Sequence, residues 1–222
     1  MKLVLVTFAA ASLCLATASQ AELITFEGDG VAPAAMPNAT GTAVPGGSQL
    51  TDQYLGLGAL FTSGGGFAAV VDHYPADYSL TPTPPAVIGG TAVGGTLSYL
   101  DAITLTFVKP GDAGTKATTG SVRVLGDLYP FNIGSVWMSA FDISGALLGT
   151  VSANDSGPLG TGPVLQITAA GIHRVTFGGT SGTVAFDNVE FGELSYTPIP
   201  EPASLTLLLC GLAGLGAAAR RR

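Results

Sequence analysis

The sequence predicts an all-β protein: a single β-sandwich domain of the jelly-roll type, flanked by an N-terminal signal helix and a C-terminal hydrophobic helix. Aromatic and β-branched residues recur in short runs separated by Gly, Pro, Asn and Asp, which is typical of strands joined by turns. Hydrophobic residues make up 47% of the chain and charged residues only 10%, so a core can be buried. Many short strands without a long amphipathic helix favour two packed β-layers.

Ten segments between the two ends have the composition of strands. In one of them Ile103, Leu105 and Phe107 alternate with two threonines, which predicts one buried and one exposed face. The predicted strands cover residues 24–27, 59–62, 67–71, 103–108, 121–125, 136–143, 147–151, 164–168, 173–177 and 184–191.

The connections between these strands have two kinds of sequence. Ser144 and Gly145 separate two predicted strands and indicate a tight hairpin turn. Residues 30–47 and 81–95 are rich in Gly, Pro and Ala and have no hydrophobic period, which predicts loops.

Charge is distributed unevenly along the chain. Four of the eight basic residues are Lys2 and the three C-terminal arginines, whereas residues 22–199 hold four cations against fourteen carboxylates, a net charge of −10. Such a surface repels the phosphates of nucleic acids and anionic lipid surfaces. We therefore expect no nucleic-acid partner, and neutral glycans or divalent cations fit better.

Residues 1–21 have the pattern of a signal peptide. Lys2 precedes an apolar run over residues 3–15, and small residues follow. Residues 19–21, Ser-Gln-Ala, fit a small-x-small cleavage site, and residues 16–18 are the alternative. The sequence therefore predicts export from the cytoplasm.

The C-terminal end combines an apolar stretch with a basic terminus. Residues 203–219 carry no charge, and Arg220, Arg221 and Arg222 close the chain. Seventeen helical residues rise about 26 Å, close to the hydrocarbon thickness of a bilayer. The arginines favour the cytoplasmic side and would hold the rest of the chain outside.

The triplet Pro200, Glu201 and Pro202, followed by this stretch and this terminus, resembles the PEP-CTERM sorting domain over residues 198–222. The resemblance implies that a membrane-embedded exosortase recognises the triplet. It also implies transient membrane anchoring, then release to the surface or exterior of a Gram-negative bacterium that makes extracellular polysaccharide. The predicted organisation is a signal peptide (1–21), a β-sandwich body (22–196) and a sorting signal (197–222).

The body also resembles secreted PEP-CTERM proteins and jelly rolls of the carbohydrate-binding-module or galactose-binding type. The likeness rests on the strand 103–108, the AFDISGALLGT hairpin at 140–150 and the terminal FDNVEF at 186–191. It implies a non-enzymatic surface or matrix protein associated with polysaccharide. A carbohydrate-binding module and an extracellular polysaccharide hydrolase are the alternatives.

Calcium is the one cofactor that the residues favour. In jelly rolls of the binding-module kind, oxygens of the first and last strands often hold Ca²⁺ together. Glu27 and Asp29 end the first predicted strand here, and Asp187 and Asn188 lie in the last. Both cysteines lie outside residues 22–196, so hard oxygen ligands suit calcium better than zinc.

A second group of candidates would face a ligand. Asp72, Tyr74, Asp77 and Tyr78 form the richest polar cluster and indicate either a sugar or cation site or a solvated turn. Trp137 is the single tryptophan and lies in a strand that is apolar on both faces. We expect it to be buried; exposure on a concave face would indicate sugar binding.

Catalysis has little support in the sequence. The chain has two histidines, His73 and His173, and no Gly-x-Ser-x-Gly elbow. His173 is interpreted as a surface or half-buried strand residue. A hydrolase would need two facing carboxylates, for which Asp72 and Asp77 are the first candidates. We therefore expect no enzymatic activity.

Overall fold

The computed structural model describes residues 21–27, 30–37, 39–72, 86–128, 134–155, 162–180 and 184–196. These residues form two large sheets packed face to face, with a small third sheet and two short 3₁₀ helices at Gly46–Ser48 and Leu55–Leu57. The predicted all-β sandwich is confirmed. The predicted signal helix and C-terminal hydrophobic helix fall on residues outside these ranges.

The first sheet has eight strands, numbered here in chain order through the molecule. They are β1 (Glu22–Ile24), β2 (Met36–Pro37), β3 (Gln49–Leu50), β5 (Ala68–Asp72), β6 (Ala86–Gly89), β11 (Thr119–Leu128), β14 (Val164–Ile172) and β16 (Val184–Phe191). Their order is β14-β11-β16-β6-β5-β2, with β1 paired to β16 and β3 to β5. The pairs are antiparallel except for β2 with β5.

The second sheet has six strands, and all its pairs are antiparallel. They are β4 (Ala59–Thr62), β9 (Ile103–Lys109), β10 (Asp112–Lys116), β12 (Gly134–Phe141), β13 (Leu147–Asp155) and β15 (Arg174–Gly179). The order is β10-β9-β15-β12-β13, with β4 also paired to β9. The small third sheet pairs β7 (Thr91–Ala92) with β8 (Thr96–Leu97).

The core lies between the two large sheets. Ile103, Leu105 and Phe107 are buried and the intervening threonines are half-buried, as the alternation in β9 predicts. Phe177 of the six-stranded sheet meets Phe186 of the eight-stranded sheet with ring centroids 4.8 Å apart. Edge-to-face packing of this kind joins the layers.

The predicted hairpin joins β12 to β13, with Phe141 paired to Leu147. Asp142 holds the turn, since its Oδ1 accepts hydrogen bonds from the backbone N–H groups of Ser144 and Ala146, both at 2.8 Å. Gly145 has φ = 88°, a left-handed conformation that glycine adopts without strain.

Several segments differ from the sequence prediction. The predicted loop 30–47 contains β2, and the sequence predicts no strand at β10. The predicted loop 81–95 contains β6, whose four residues are all buried between β16 and β5. A strand covered on both faces has no alternation for a sequence pattern to detect. The first strand covers Glu22–Ile24 instead of 24–27, because Phe26 has φ = 60° and leaves the extended conformation.

The C-terminal end of the described body is hydrogen-bonded to Thr118, the residue before β11. Ser195 and Thr118 exchange two backbone hydrogen bonds of 2.8 Å in an isolated bridge. Next to it, a Cβ at Gly58 would lie 2.4 Å from Cδ1 of Leu194. In the part of the chain that the structure describes, no helix is long and apolar enough to cross a membrane.

Candidate functional site

Trp137 lies on the outer face of the six-stranded sheet. In β12 the inward residues Val136, Met138 and Ala140 are fully buried, whereas Trp137 is half-buried. The expectation of a core tryptophan is therefore wrong. Since both faces of this strand are apolar, only the packing of the second layer decides which one is covered.

The indole of Trp137 packs against the neighbouring strand. Trp137 pairs with Gly178 of β15, and a Cβ at that glycine would lie 3.1 Å from the indole Cζ2. Such a contact is tighter than most Cβ contacts in proteins, so the indole would have to move by a few tenths of an ångström to admit a side chain. The glycine thus lets a large ring lie against the outside of the sheet while part of the ring stays exposed.

Pairs of polar side chains flank this ring. They are Ser135 with Asn154 at 2.7 Å, Ser139 with Thr150 at 2.9 Å, and Thr104 with Thr176 at 3.3 Å. Each hydroxyl has both a donor and acceptor sites, so one bond leaves further capacity for a ligand. The outer face therefore combines an aromatic surface with hydroxyl groups on both sides.

A cleft of about 300 Å³ opens at one end of the same face. The hairpin turn, residues 142–145, lines one side, and Lys116, His173 and Arg174 line the other. His173 stands where the chain crosses from β14 in one sheet to β15 in the other. The cleft therefore depends on contacts between segments far apart in sequence.

Backbone and side-chain hydrogen bonds fix His173 in this position. Its N–H donates to the carbonyl of Phe141 at 2.9 Å, and its carbonyl accepts from Phe107 at 2.8 Å. Its Nδ1 lies 2.8 Å from the carbonyl oxygen of Ala117. Because a carbonyl can only accept, Nδ1 carries the proton in this contact. The interpretation as a half-buried residue is confirmed.

Arg174 brings a cation to the cleft. Its guanidinium carbon lies 4.6 Å from the centroid of the Phe141 ring, a cation–π contact. Its Nε is buried and has no hydrogen-bond partner. Lys116, which also lines the cleft, is exposed.

Asp142 is the carboxylate that lines this cleft. The hydroxyl of Ser144 donates to its Oδ1 at 2.7 Å, and with the N–H of Ala146 it lowers the pKa of the carboxyl. The carboxyl group of Asp142 is therefore deprotonated and negatively charged at neutral pH. Within the described ranges, the one ion pair joins Arg123 to Glu190 at 3.0 Å on the other sheet.

The sequence pattern did not identify the cleft residues as a site. Lys116 and Arg174 are 58 positions apart and match no motif. The one available signal is the scarcity of cations, since the body has four and these are two of them.

The calcium candidates lie at a junction on the eight-stranded sheet. Strand β1 pairs with β16, so the first and last strands do lie together. The N–H of Ala86, which begins β6, donates to Oε1 of Glu27 at 2.5 Å. Asn188 has φ = 50° and interrupts the regular geometry of β16 at this point.

Asp187 is the buried carboxylate of this junction, with 1% of its surface exposed. Oδ1 accepts the N–H of Asn188 at 2.7 Å, while Oδ2 is buried without a hydrogen-bond partner. Burial raises the pKa of Asp187 to about 7; the N–H of Asn188 opposes this rise and the negative charge of Glu27 adds to it. An oxygen left in this state fits a cation that supplies the missing partner.

The described ranges contain no group of three His, Cys, Asp or Glu side chains placed to hold a metal. Glu27 and Asp187 supply two such groups, and Asp29 lies outside the described residues. The calcium site therefore stays a prediction.

The polar cluster of the sequence is only partly described. Asp72 ends β5 in the eight-stranded sheet, and its Oδ1 is buried without a hydrogen-bond partner. Tyr74, Asp77 and Tyr78 lie outside the described residues, as does His73. Asp72 and Trp137 belong to different sheets, so the fold does not bring them to one face.

Comparison with protein families concerns the C-terminal end of the chain. A family model described as the PEP-CTERM protein-sorting motif matches residues 198–222. The tail is a PEP-CTERM sorting motif. It marks an exported protein that exosortase processes at the membrane. Pro200, Glu201, Pro202 and the arginines at 220–222 fall within this match and outside the described residues.

Comparison with curated proteins gives no match. Three solved structures are similar to parts of this chain. One is a glycoside hydrolase family 43 arabinoxylan arabinofuranohydrolase from Bacillus subtilis, in complex with cellotetraose (17% identity, TM-score 0.29, 62% of this chain and 26% of that one).

The second is the enzymatically active domain of bacteriophage CBA120 tailspike protein 4 (11% identity, TM-score 0.25, 66% of this chain and 20% of that one). The third is the isomalto-dextranase of Arthrobacter globiformis T6 complexed with panose (15% identity, TM-score 0.31, 79% and 33%). The chain thus spans a fifth to a third of the length of these chains.

Proposed function

We propose that this PEP-CTERM protein is a non-enzymatic surface or matrix protein of a Gram-negative bacterium that binds extracellular polysaccharide. The outer face of the six-stranded sheet is its binding surface. The observation that carries the proposal is the position of Trp137, which lies outside the core against Gly178.

The chemistry of this face suits a sugar chain. Pyranose rings have apolar C–H faces, which pack on an aromatic ring, and hydroxyl rims, which need hydrogen-bond partners. Trp137 offers the ring, and pairs such as Ser139 with Thr150 offer the partners. A body with a net charge of −10 disfavours nucleic acids and other polyanions.

Binding without hydrolysis agrees with the carboxylate in the cleft. Cleavage of a glycosidic bond requires a carboxylic acid of raised pKa as proton donor and a second carboxylate. Asp142 has a lowered pKa and is bound to its own turn. It suits a structural role, which favours a binding protein over the hydrolase alternative.

Substitution of Trp137 tests the proposal. The exported, processed protein is titrated with neutral extracellular polysaccharide and with a glycan array. Trp137→Ala should weaken binding at least tenfold, whereas Leu23→Ala, at an exposed apolar residue of the eight-stranded sheet, should leave it unchanged. Equal binding by the wild type and Trp137→Ala would exclude this surface.

We also propose a structural calcium ion beside the junction of β1, β6 and β16. Glu27, Asp187 and Asn188 would hold it, with Asp29 as the fourth candidate. The buried, unpartnered Oδ2 of Asp187 supports this assignment. Calcium would neutralise two adjacent carboxylates and hold the first strand to the last. Calorimetric titration with Ca²⁺ tests it, and the absence of both heat and a melting shift with EGTA would contradict it.

A further inference from the structure

We propose that the cleft between the β12–β13 turn and the start of β15 binds a single carboxylate of an acidic sugar. Arg174 and Lys116 are its charge partners. The inference rests on the proposed polysaccharide binding and adds the class of sugar and its point of contact.

The charge distribution within the body singles out this cleft. Of the four cations of the body, Arg123 is paired with Glu190, and the Nζ of Lys109 lies 5.8 Å from the ring centroid of Tyr196. The other two line the cleft together. A surface that is strongly negative overall thus has a local positive site.

The surroundings of Arg174 favour the binding of a carboxylate. Its contact with the Phe141 ring, 4.6 Å from the guanidinium carbon to the centroid, restricts the positions that the guanidinium can take. Its buried Nε–H has no acceptor, and an unmet buried donor costs free energy until a partner arrives. The fork of a guanidinium matches the two oxygens of a carboxylate, which the terminal N–H groups of Arg174 can meet in the cleft.

Asp142 does not neutralise these cations. Its Oδ1 accepts three hydrogen bonds from its own turn, and no ion pair within 4.0 Å joins Asp142 to a cation among the described residues. With two cations and one carboxylate, the cleft has a net charge of +1 when His173 is neutral. It therefore attracts one acidic group, whereas the body around it repels a densely charged chain.

The cleft and Trp137 lie along one line of the outer face. Phe141 pairs with Arg174, and Trp137 pairs with Gly178, four residues further along the same two strands. Four strand residues span about 13 Å. A sugar chain stacked on Trp137 can thus extend toward Arg174 and present a uronate carboxylate there.

An acid and its neutral ester make the sharpest test. The processed protein is titrated calorimetrically with a neutral oligosaccharide that carries one uronic acid residue and with the methyl ester of the same compound, which keeps the rings and removes the single charge. We expect the acid to bind about tenfold more tightly at low salt. Arg174→Gln should abolish this preference and Lys116→Gln should reduce it severalfold. Arg123→Gln, on the other sheet, is the matched control and should retain it.

The outcomes separate the inference from the proposed function. Equal affinity for acid and ester, unchanged by Lys116→Gln, overturns the inference and leaves the Trp137 surface standing. If neither oligosaccharide binds, the inference is also overturned, and the Trp137→Ala titration with neutral polysaccharide decides the proposed function alone. Lys116 is exposed, so its substitution keeps the test valid even if Arg174→Gln fails to fold.

Discussion

Trp137 occupies the space that a side chain at Gly178 would need, because a Cβ there would lie 3.1 Å from the indole Cζ2. The two residues face each other across β12 and β15. The proposed sugar-binding ring therefore lies where it does partly because Gly178, in the neighbouring strand, has no side chain.

Gly178→Val should displace the indole from the sheet. The larger side chain forces the ring outward, so we expect the tryptophan emission to shift to the red and sugar affinity to fall severalfold. Trp137 is the single tryptophan, so its fluorescence reports this site directly. Gly120→Ala, where an added Cβ meets nothing within 4 Å, is the control. Unchanged emission in Gly178→Val would contradict the contact.

Asp187 should make stability fall as the pH rises. Its pKa is about 7 in the folded protein against 3.8 as the reference, so folding favours the protonated form. The free-energy cost of burying the charged Asp187 carboxylate is absent below about pH 4, grows between pH 4 and 7, and is complete above pH 7. The full shift corresponds to about 4 kcal/mol. Urea unfolding in EGTA at pH 5 and pH 8 measures the cost.

Asp187→Asn removes that cost, because an amide carries no charge to bury. In EGTA at pH 8 the variant should be more stable than the wild type, and its stability should depend less on pH. Asp101→Asn, at a partly exposed aspartate outside the strands, is the control. A less stable Asp187→Asn variant at pH 8 would show that the charged form is stabilised in the fold.

Calcium should reverse the order of stability of the wild type and Asp187→Asn. A cation beside Asp187 compensates the buried charge, so the wild type should gain several degrees in Tm when millimolar Ca²⁺ replaces EGTA. Asp187→Asn should gain little. Differential scanning calorimetry with Ca²⁺ and with Mg²⁺ separates a specific site from a general effect of divalent salt. Equal gains in both proteins would place any calcium elsewhere.

Asp142→Asn should strengthen the binding of acidic sugars. The amide oxygen still accepts the hydrogen bonds of the turn, while the negative charge leaves the cleft. We expect severalfold tighter binding of the oligosaccharide with one uronic acid residue, unchanged binding of its methyl ester, and a Tm within a few degrees of the wild type. Asp142→Ala, which loses the turn contacts as well, should lower the Tm more. Unaltered acid binding in Asp142→Asn would show that the carboxylate lies outside the field of the ligand.

Sequence patterns predicted the parts of the fold that depend on local chemistry. The alternation around Leu105 identified the inward face of β9, and Ser144 with Gly145 identified the hairpin. Resemblance to known jelly rolls, which is not local information, correctly placed the first strand beside the last.

The remaining features depend on contacts across the fold. Strand β6 is buried on both faces and so lacks a period, and the apolar faces of β12 left the side of Trp137 undecided. The cleft arises only when β12 and β15 are in register, which brings Phe141 to Arg174. No pattern within one segment contains that register.

The bridge between Thr118 and Ser195 limits the space in which the sorting tail is processed. Ser195 and Glu201 are six positions apart, and six residues in any conformation span no more than about 22 Å. That reach is shorter than the thickness of a bilayer's hydrocarbon core. We therefore expect an exosortase that engages Glu201 while the bridge is intact to act close to an already folded domain, beside the end of the sandwich that carries Thr118.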